Sequence, residues 1–243
     1  MIDLHFFPSP NGLKISIMLE ESELPYRLVE VDILRGAQFA PDFLRISPNN
    51  RIPAIVDQDA SGGPLAIFES GAILQYLAEK SGRFMPADLH GKYDTLQWLY
   101  WQVGGLGPMA GQAHHFRAFA SETVPYGIKR YTDEVNRLYG VMDRRLADRA
   151  YLAGEYSIAD MACWPWIVSH ERQGQALDDF SHVQRWFEAI RARPAVHRAY
   201  ERGHERMADA AAYRFLYGQT AASVAGRADD QPAPDQDARG TRQ

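Results

Sequence analysis

Asn50-Arg51-Ile52-Pro53-Ala54-Ile55 and Phe68-Glu69-Ser70-Gly71-Ala72-Ile73 decide the fold of this chain, with Glu69 sixteen residues beyond Pro53. A proline at the head of an apolar run cannot donate to a sheet ladder, so it belongs at a strand start or a special turn. Taken alone, Pro53 reads as a trans residue that merely begins a strand. A cis proline would instead turn the main chain of the preceding residue outward, ready to pair with a peptide-like ligand as an added strand. The second stretch stands at a strand-to-helix junction. Free backbone N–H groups and the helix dipole there favour a carboxylate. Ser70 can add a hydroxyl donor and Glu69 can accept from an ammonium, which together suit an amino-acid head group. A plain helix cap at Ser70 is the competing reading.

The pattern extends in both directions from these two stretches. Residues 2–7 are apolar and aromatic and stop at Pro8 and Pro10, which predicts a strand. Asn11-Gly12 then opens a helical pattern through Ile15, Ile17, Met18 and Leu19 that ends before Pro25. Alternation over 26–33 predicts a second strand, and Phe43-Leu44 a short helical piece. Residues 53–56 and 65–68 read as a third and fourth strand, followed by a helix from Glu69-Ser70 to Gly82. Beyond about residue 90 no strand pattern survives. Apolar spacing predicts helices over 95–103, 125–146, 158–169 and 183–190. The expected organisation is an α/β domain over 1–84 and an all-α domain over 91–217. A tail over 218–243, poor in large apolar residues, is expected to be mobile.

Composition narrows the function. Hydrophobic residues make up 46% and charged residues 23%, an ordinary globular balance. A net charge of −5 argues against nucleic acid as the partner, since neutralising phosphates needs a clustered basic surface. The opening MIDLHFFPSP has no basic segment followed by an apolar run, and no stretch approaches 18 uninterrupted apolar residues. A cytoplasmic protein without a membrane partner is expected. Cys163 is the sole cysteine, which excludes an intrachain disulfide, a Cys-x-x-Cys pair and a thiolate zinc site. Any thiol chemistry must therefore use a sulfur brought from outside. Cys163 itself, among Met161, Ala162 and Trp164, reads as buried and inert. His114 and His115 point about 100° apart on a helix with no third ligand evident, so no metal is expected. Ser157-Ile158-Ala159-Asp160 reads as a capping box. Trp98 and Trp101 share a helix face, either as core or as the wall of a second-substrate site or dimer seam.

An Ile-Pro-Ala-Ile segment, a Glu-Ser helix start, a preceding βαβ unit and a following all-helical half resemble a glutathione transferase over roughly residues 1–200. Within that family the chain is similar to the bacterial Nu-class disulfide-bond oxidoreductases. The runs that carry this are PSPNG at 8–12, ISPNN at 46–50, WLYWQVGGLG at 98–107, QAHHF at 112–116 and ACWPW at 162–166. The resemblance implies a thioredoxin-like first domain with Pro53 cis. It implies glutathione, reduced or as its disulfide, as co-substrate and no metal. It places Ser9 and Asn11 beside the sulfur, with Gln38 and the Arg51-Ile52 backbone holding the tripeptide. Glu69 and Ser70 would bind the γ-glutamyl end. Arg130 would contribute from the helical half, in its own subunit or across a homodimer. Where the relatives usually carry Thr, this chain has Ser9, which keeps the hydroxyl and loses the methyl that fixes its rotamer.

The implied activity is reduction of small disulfides without an enzyme cysteine. Conjugation of glutathione to electrophiles, hydroperoxide reduction and a non-enzymatic binding module of the same fold are the alternatives. Only a thiolate attacks, and a thiol near pKa 8.5 is mostly protonated at neutral pH. Lowering it by two units takes about 2.7 kcal/mol, within reach of a few donors such as Ser9, Asn11 and a helix N-terminus.

Overall fold

The computed structural model describes residues 1–201, Leu216 and residues 219–221. Of the tail expected over 218–243, only 219–221 fall among the described residues, and the end of the expected all-α domain lies outside them.

The N-terminal half is a four-stranded sheet in the order β2-β1-β3-β4. β1 (Ile2–Phe6) pairs parallel with β2 (Tyr26–Glu30) and antiparallel with β3 (Ala54–Asp57), which pairs antiparallel with β4 (Leu65–Phe68). The parallel pair needs a crossover, which α1 (Pro10–Ser22) supplies. A short 3₁₀ turn (Ala37–Phe39) and α2 (Pro41–Leu44) lead into β3, and α3 (Ser70–Ser81) follows β4. The extended run expected to 33 stops at Glu30. β2 is an edge strand whose partner's ladder ends at Phe6, opposite Glu30, and Asp32 Oδ1 then accepts from Leu34 N in a turn. Geometry accounts for two glycines. A Cβ on Gly12 would lie 2.4 Å from the Phe7 carbonyl oxygen, so only glycine lets the first turn of α1 press against the exit of β1. Gly82, at φ 65°, ends α3 in the left-handed region.

The remaining elements are helical. α4 (Leu89–Trp101) continues through a π segment, Gln102–Leu106, into α5 (Gly107–His114) and a second π segment, His115–Phe119. The helix expected over 95–103 is thus the middle of a longer, bulged one. α6 (Pro125–Leu146) matches its expected span, and α7 (Ile158–Ile167), α8 (Ser181–Arg191) and α9 (Pro194–Glu201) follow among the described residues. The capping box at the head of α7 is formed, with Ser157 and Asp160 exchanging side-chain and backbone hydrogen bonds. One hydrophobic core joins both halves. Ile15, Ile17 and Met18 of α1 are fully buried in it with Leu99, Ala162 and Ala199. Each such large side chain contributes about 1.5–3 kcal/mol on burial. α1 is therefore held from several sides, and its N-terminal turn is a rigid platform for a site.

Candidate active site

The Ile52–Pro53 peptide is cis. Ser47 Oγ donates to the Arg51 carbonyl at 2.7 Å and pins the approach to it. Pairing of β3 with its neighbours starts only at Ala54, opposite His5 and Phe68. Ile52 therefore lies ahead of the ladder, on the wall of a cavity of about 250 Å³. Across that cavity the chain turns from β4 into α3 through Glu69, at φ 71° and ψ 115°. A side-chain-bearing residue in that region costs about 1–3 kcal/mol, a strain that clusters at ligand sites. Glu69 caps α3 without its side chain accepting a bond from the helix, which leaves first-turn amides for a ligand. Its carboxylate is exposed and accepts instead from Asn49 Nδ2 at 3.4 Å, while Ser70 is buried.

The third component is the start of α1. Ser9 is its N-cap, with Oγ accepting from Gly12 N at 3.2 Å. A hydroxyl that accepts in this way still has its own hydrogen to donate. Asn11 lines the small cavity and also a larger cleft of about 670 Å³ between the two halves. Trp166 Nε1 donates to Asn11 Oδ1 at 3.1 Å. An indole nitrogen can only donate, so this contact fixes which way the amide points and leaves the Asn11 NH₂ for the cavities.

Lys14 is the site residue that the sequence did not announce. It lines the larger cleft yet is only 2% exposed, and its Nζ donates to Ser70 Oγ at 3.2 Å and Gln102 Oε1 at 2.6 Å. Burial drives its ammonium down to about 7. The available signal was its setting: Leu13, Ile15, Ile17, Met18 and Leu19 leave α1 no wet face for a lysine. Gln102 reaches this point from the π segment, a helix defect of the kind that re-aims side chains at functional sites. Cys163 is 0% exposed on α7, and burial pushes its thiol far up.

Arg51 and His115 also line the cleft. Gln38 lies off both cavity walls, buried in the 3₁₀ turn with its amide donating to Ile33 O at 3.4 Å. Arg130 is exposed on α6 and likewise off the walls. Trp98 and Trp101 meet edge to face at 5.2 Å, pack half-buried against the core and line neither cavity. Among the described residues, no three His, Cys, Asp or Glu gather as a metal site, and no helix is long and apolar enough to cross a membrane.

Known proteins share this architecture in sequence and in structure. Residues 1–79 match the glutathione S-transferase N-terminal domain, and residues 107–194 the glutathione S-transferase C-terminal domain. The chain is 57% identical over 202 residues to the disulfide-bond oxidoreductase YfcG of Escherichia coli (strain K12), covering 82% of this chain and 94% of that protein. It superposes with a TM-score of 0.78 on a Pseudomonas fluorescens glutathione transferase family member with two glutathione bound, at 45% identity over 82% of this chain and 92% of that one. A Pseudomonas putida glutathione transferase with one glutathione disulfide bound per subunit gives 0.77 at 45% identity, over 82% and 90% of the two chains. Sequence and architecture agree with the resemblance carried by the two opening stretches, and the chain belongs to the glutathione S-transferase family.

Proposed function

We infer that the protein is a glutathione-dependent disulfide-bond reductase that works without a cysteine of its own. One observation carries this. The cis-proline corner, the uncapped mouth of α3 and the start of α1 open on cavities that share Asn11, Arg51, Glu69 and Ser70, while the only thiol of the chain is sealed away. The sulfur must then be the ligand's. The corner suits the tripeptide. The Ile52 main chain offers strand-like pairing to the cysteinyl unit, Glu69 accepts from the γ-glutamyl ammonium, and Ser70 with the first-turn amides receives its carboxylate. Arg51, on the wall of both cavities, supplies a cation beside the tripeptide. Ser9 and Asn11 donate toward the sulfur and favour the thiolate.

The thiolate attacks one sulfur of a small disulfide, the S–S bond breaks, and the departing thiolate takes up a proton. A second glutathione attacks the mixed disulfide. The products are glutathione disulfide and two thiols, so two glutathiones are oxidised for each disulfide reduced. The larger cleft has room for the second partner, and the two Pseudomonas relatives bind two glutathiones or one glutathione disulfide. A reduced glutathione pool is a feature of the cytoplasm, which suits a cytoplasmic location. We further propose a homodimer. Leu65 and Phe68 on the edge strand β4 and Tyr93 and Tyr100 on α4 are exposed apolar surface of the kind an interface covers. Arg130, off the cleft of its own chain, is the residue that such a dimer would carry to its partner's site. Gln38 is proposed to act from behind the wall, by holding the 33–39 turn. The family matches support dividing the chain into domains over 1–84 and 91–217.

The test is turnover of 2-hydroxyethyl disulfide with glutathione. A rate equal to the uncatalysed exchange rules out the reductase. Sedimentation at the mass of one chain rules out the dimer.

A further inference from the structure

Lys14 is enclosed by protein and its hydrogen bonds go to neutral groups; the Glu69 carboxylate on the same cleft wall favours its charge, but not by enough to offset burial. The partners are a hydroxyl and a carboxamide, Ser70 Oγ and Gln102 Oε1. An ammonium has three hydrogens, and Lys14 also forms part of the cleft wall. Buried charges are ordinarily paired, so this arrangement is incomplete as it stands. The charged and titratable groups around it come from several elements. Glu69, at the mouth of α3, is exposed and turned to Asn49. Cys163 of α7 is a buried thiol held protonated. Arg51 and His115 stand on other parts of the cleft wall. Arg193, just before α9, and Arg198 on α9 are bound to Glu21 and Glu20, about two turns further along α1. On β1, Asp3 is held by Arg27, and His5 sits against Phe43. The hydrogen bonds described for the Lys14 ammonium go to Ser70 and Gln102.

We propose that Lys14 is the counter-charge for an α-amino-acid carboxylate seated at Ser70, and that filling this corner draws a proton onto the lysine. The inference rests on the glutathione reading of the site and adds a residue and a proton to it. Its direction follows from electrostatics. In the free protein, burial holds the ammonium down to about 7, so near pH 8 the side chain is mostly a neutral amine. An anion arriving at the hydroxyl that Lys14 already touches favours the charged form and raises that value. The protein then takes up most of one proton on binding near pH 8. Ligand affinity falls as pH rises through the alkaline range, by up to about tenfold per pH unit.

The probe is S-methylglutathione, which has the amino-acid end and no titratable thiol. Its binding to the full-length protein is measured by calorimetry at pH 8 in phosphate and in Tris, whose ionisation enthalpies differ. The expected result is a buffer-dependent heat equal to uptake of most of one proton. Lys14→Met keeps the volume of the stem without its charge. It is expected to abolish the uptake, to weaken binding at pH 7 by about tenfold to a hundredfold, and to flatten the pH dependence. Far-UV circular dichroism checks that the variant is folded, and the wild-type heats stand without it. Tight binding with no proton uptake in the wild-type protein overturns this inference and leaves the glutathione site intact. Uptake that persists in Lys14→Met overturns it by moving the proton elsewhere. Failure of the wild-type protein to bind the probe at all overturns the glutathione site along with it.

Discussion

Asp160 and Lys14 are both sunk in the helical core, at 0% and 2% exposure, and they are treated in opposite ways. Asp160 accepts from Leu152 N at 2.9 Å, from Ser157 N and Ser157 Oγ at 3.0 Å each, and from Trp186 Nε1 at 2.8 Å. Every donor comes from the chain itself, and the set ties α7 to α8 and to the loop before the cap. Lys14 has two neutral partners and a cavity. Equal burial therefore does not mean equal purpose. A buried charge saturated by its own protein closes the fold, whereas one left short of a partner at a cavity wall is reserved for something that enters.

The closed member of the pair carries the largest expected effect. Asp160→Ala leaves four buried donors without their acceptor and is expected to cost about 3–5 kcal/mol of stability. For a chain of this size that lowers the melting temperature by roughly 10 °C. Scanning calorimetry measures it, with S-methylglutathione affinity at 25 °C unchanged. A loss below about 1 kcal/mol breaks the comparison. A somewhat smaller effect depends on pH. Burial pushes the Asp160 carboxyl up to about 6 against the pull of its four donors. The folded state then holds the proton more tightly than the unfolded chain. The stabilisation this gives is complete below about pH 4 and is lost as pH climbs through about 6, by about 3 kcal/mol. Asp160→Asn lacks that titration. In urea unfolding, its stability deficit relative to the wild-type protein should narrow by about that amount between pH 4 and 7. A constant deficit would show that the carboxyl does not take up the proton. Lys14 runs the other way. Its folded value, about 7, lies below that of the unfolded chain, so its contribution grows as pH rises above 7.

The two members also differ in how far the sequence exposes them. Ser157-Ile158-Ala159-Asp160 announces its role within four residues, because a capping box is local. Ile52-Pro53 and Glu69-Ser70 are similarly legible, since a proline at a strand head and an acid-serine pair at a helix head each restrict the backbone nearby. What escaped depends on distance along the chain. Lys14 meets Gln102 across 88 residues, and Trp166 meets Asn11 across 155, and no periodicity encodes either contact. No helix is expected over α5, where Gly107-Pro108 and Gly111 weaken the helical pattern, and the same bare backbone lets Trp166 lie against Gly111. The expected helices stop at 190, whereas α9 begins at Pro194, a residue well suited to the first helical position.

The open side is tested at the sulfur. Ser9→Ala/Asn11→Ala removes both donors proposed for the thiolate and is expected to lower disulfide turnover about a hundredfold while the protein stays folded. Undiminished turnover would remove both residues from the chemistry. The smallest effect is the most discriminating, because it concerns orientation alone. Trp166→Phe keeps a ring against Gly111 but loses the N–H that Asn11 Oδ1 accepts at 3.1 Å. The Asn11 amide is then free to turn its oxygen toward the sulfur, where it repels a thiolate that the NH₂ attracts. Turnover is expected to fall about tenfold, or about 1.4 kcal/mol in the barrier. S-methylglutathione, which has no thiolate, should bind within about twofold of the wild-type affinity. The ultraviolet absorbance of the bound thiolate should titrate at higher pH than in the wild-type protein. A normal thiolate titration with reduced turnover would make Trp166 a wall for the second substrate, and a normal titration with normal turnover would leave it no role in aiming Asn11.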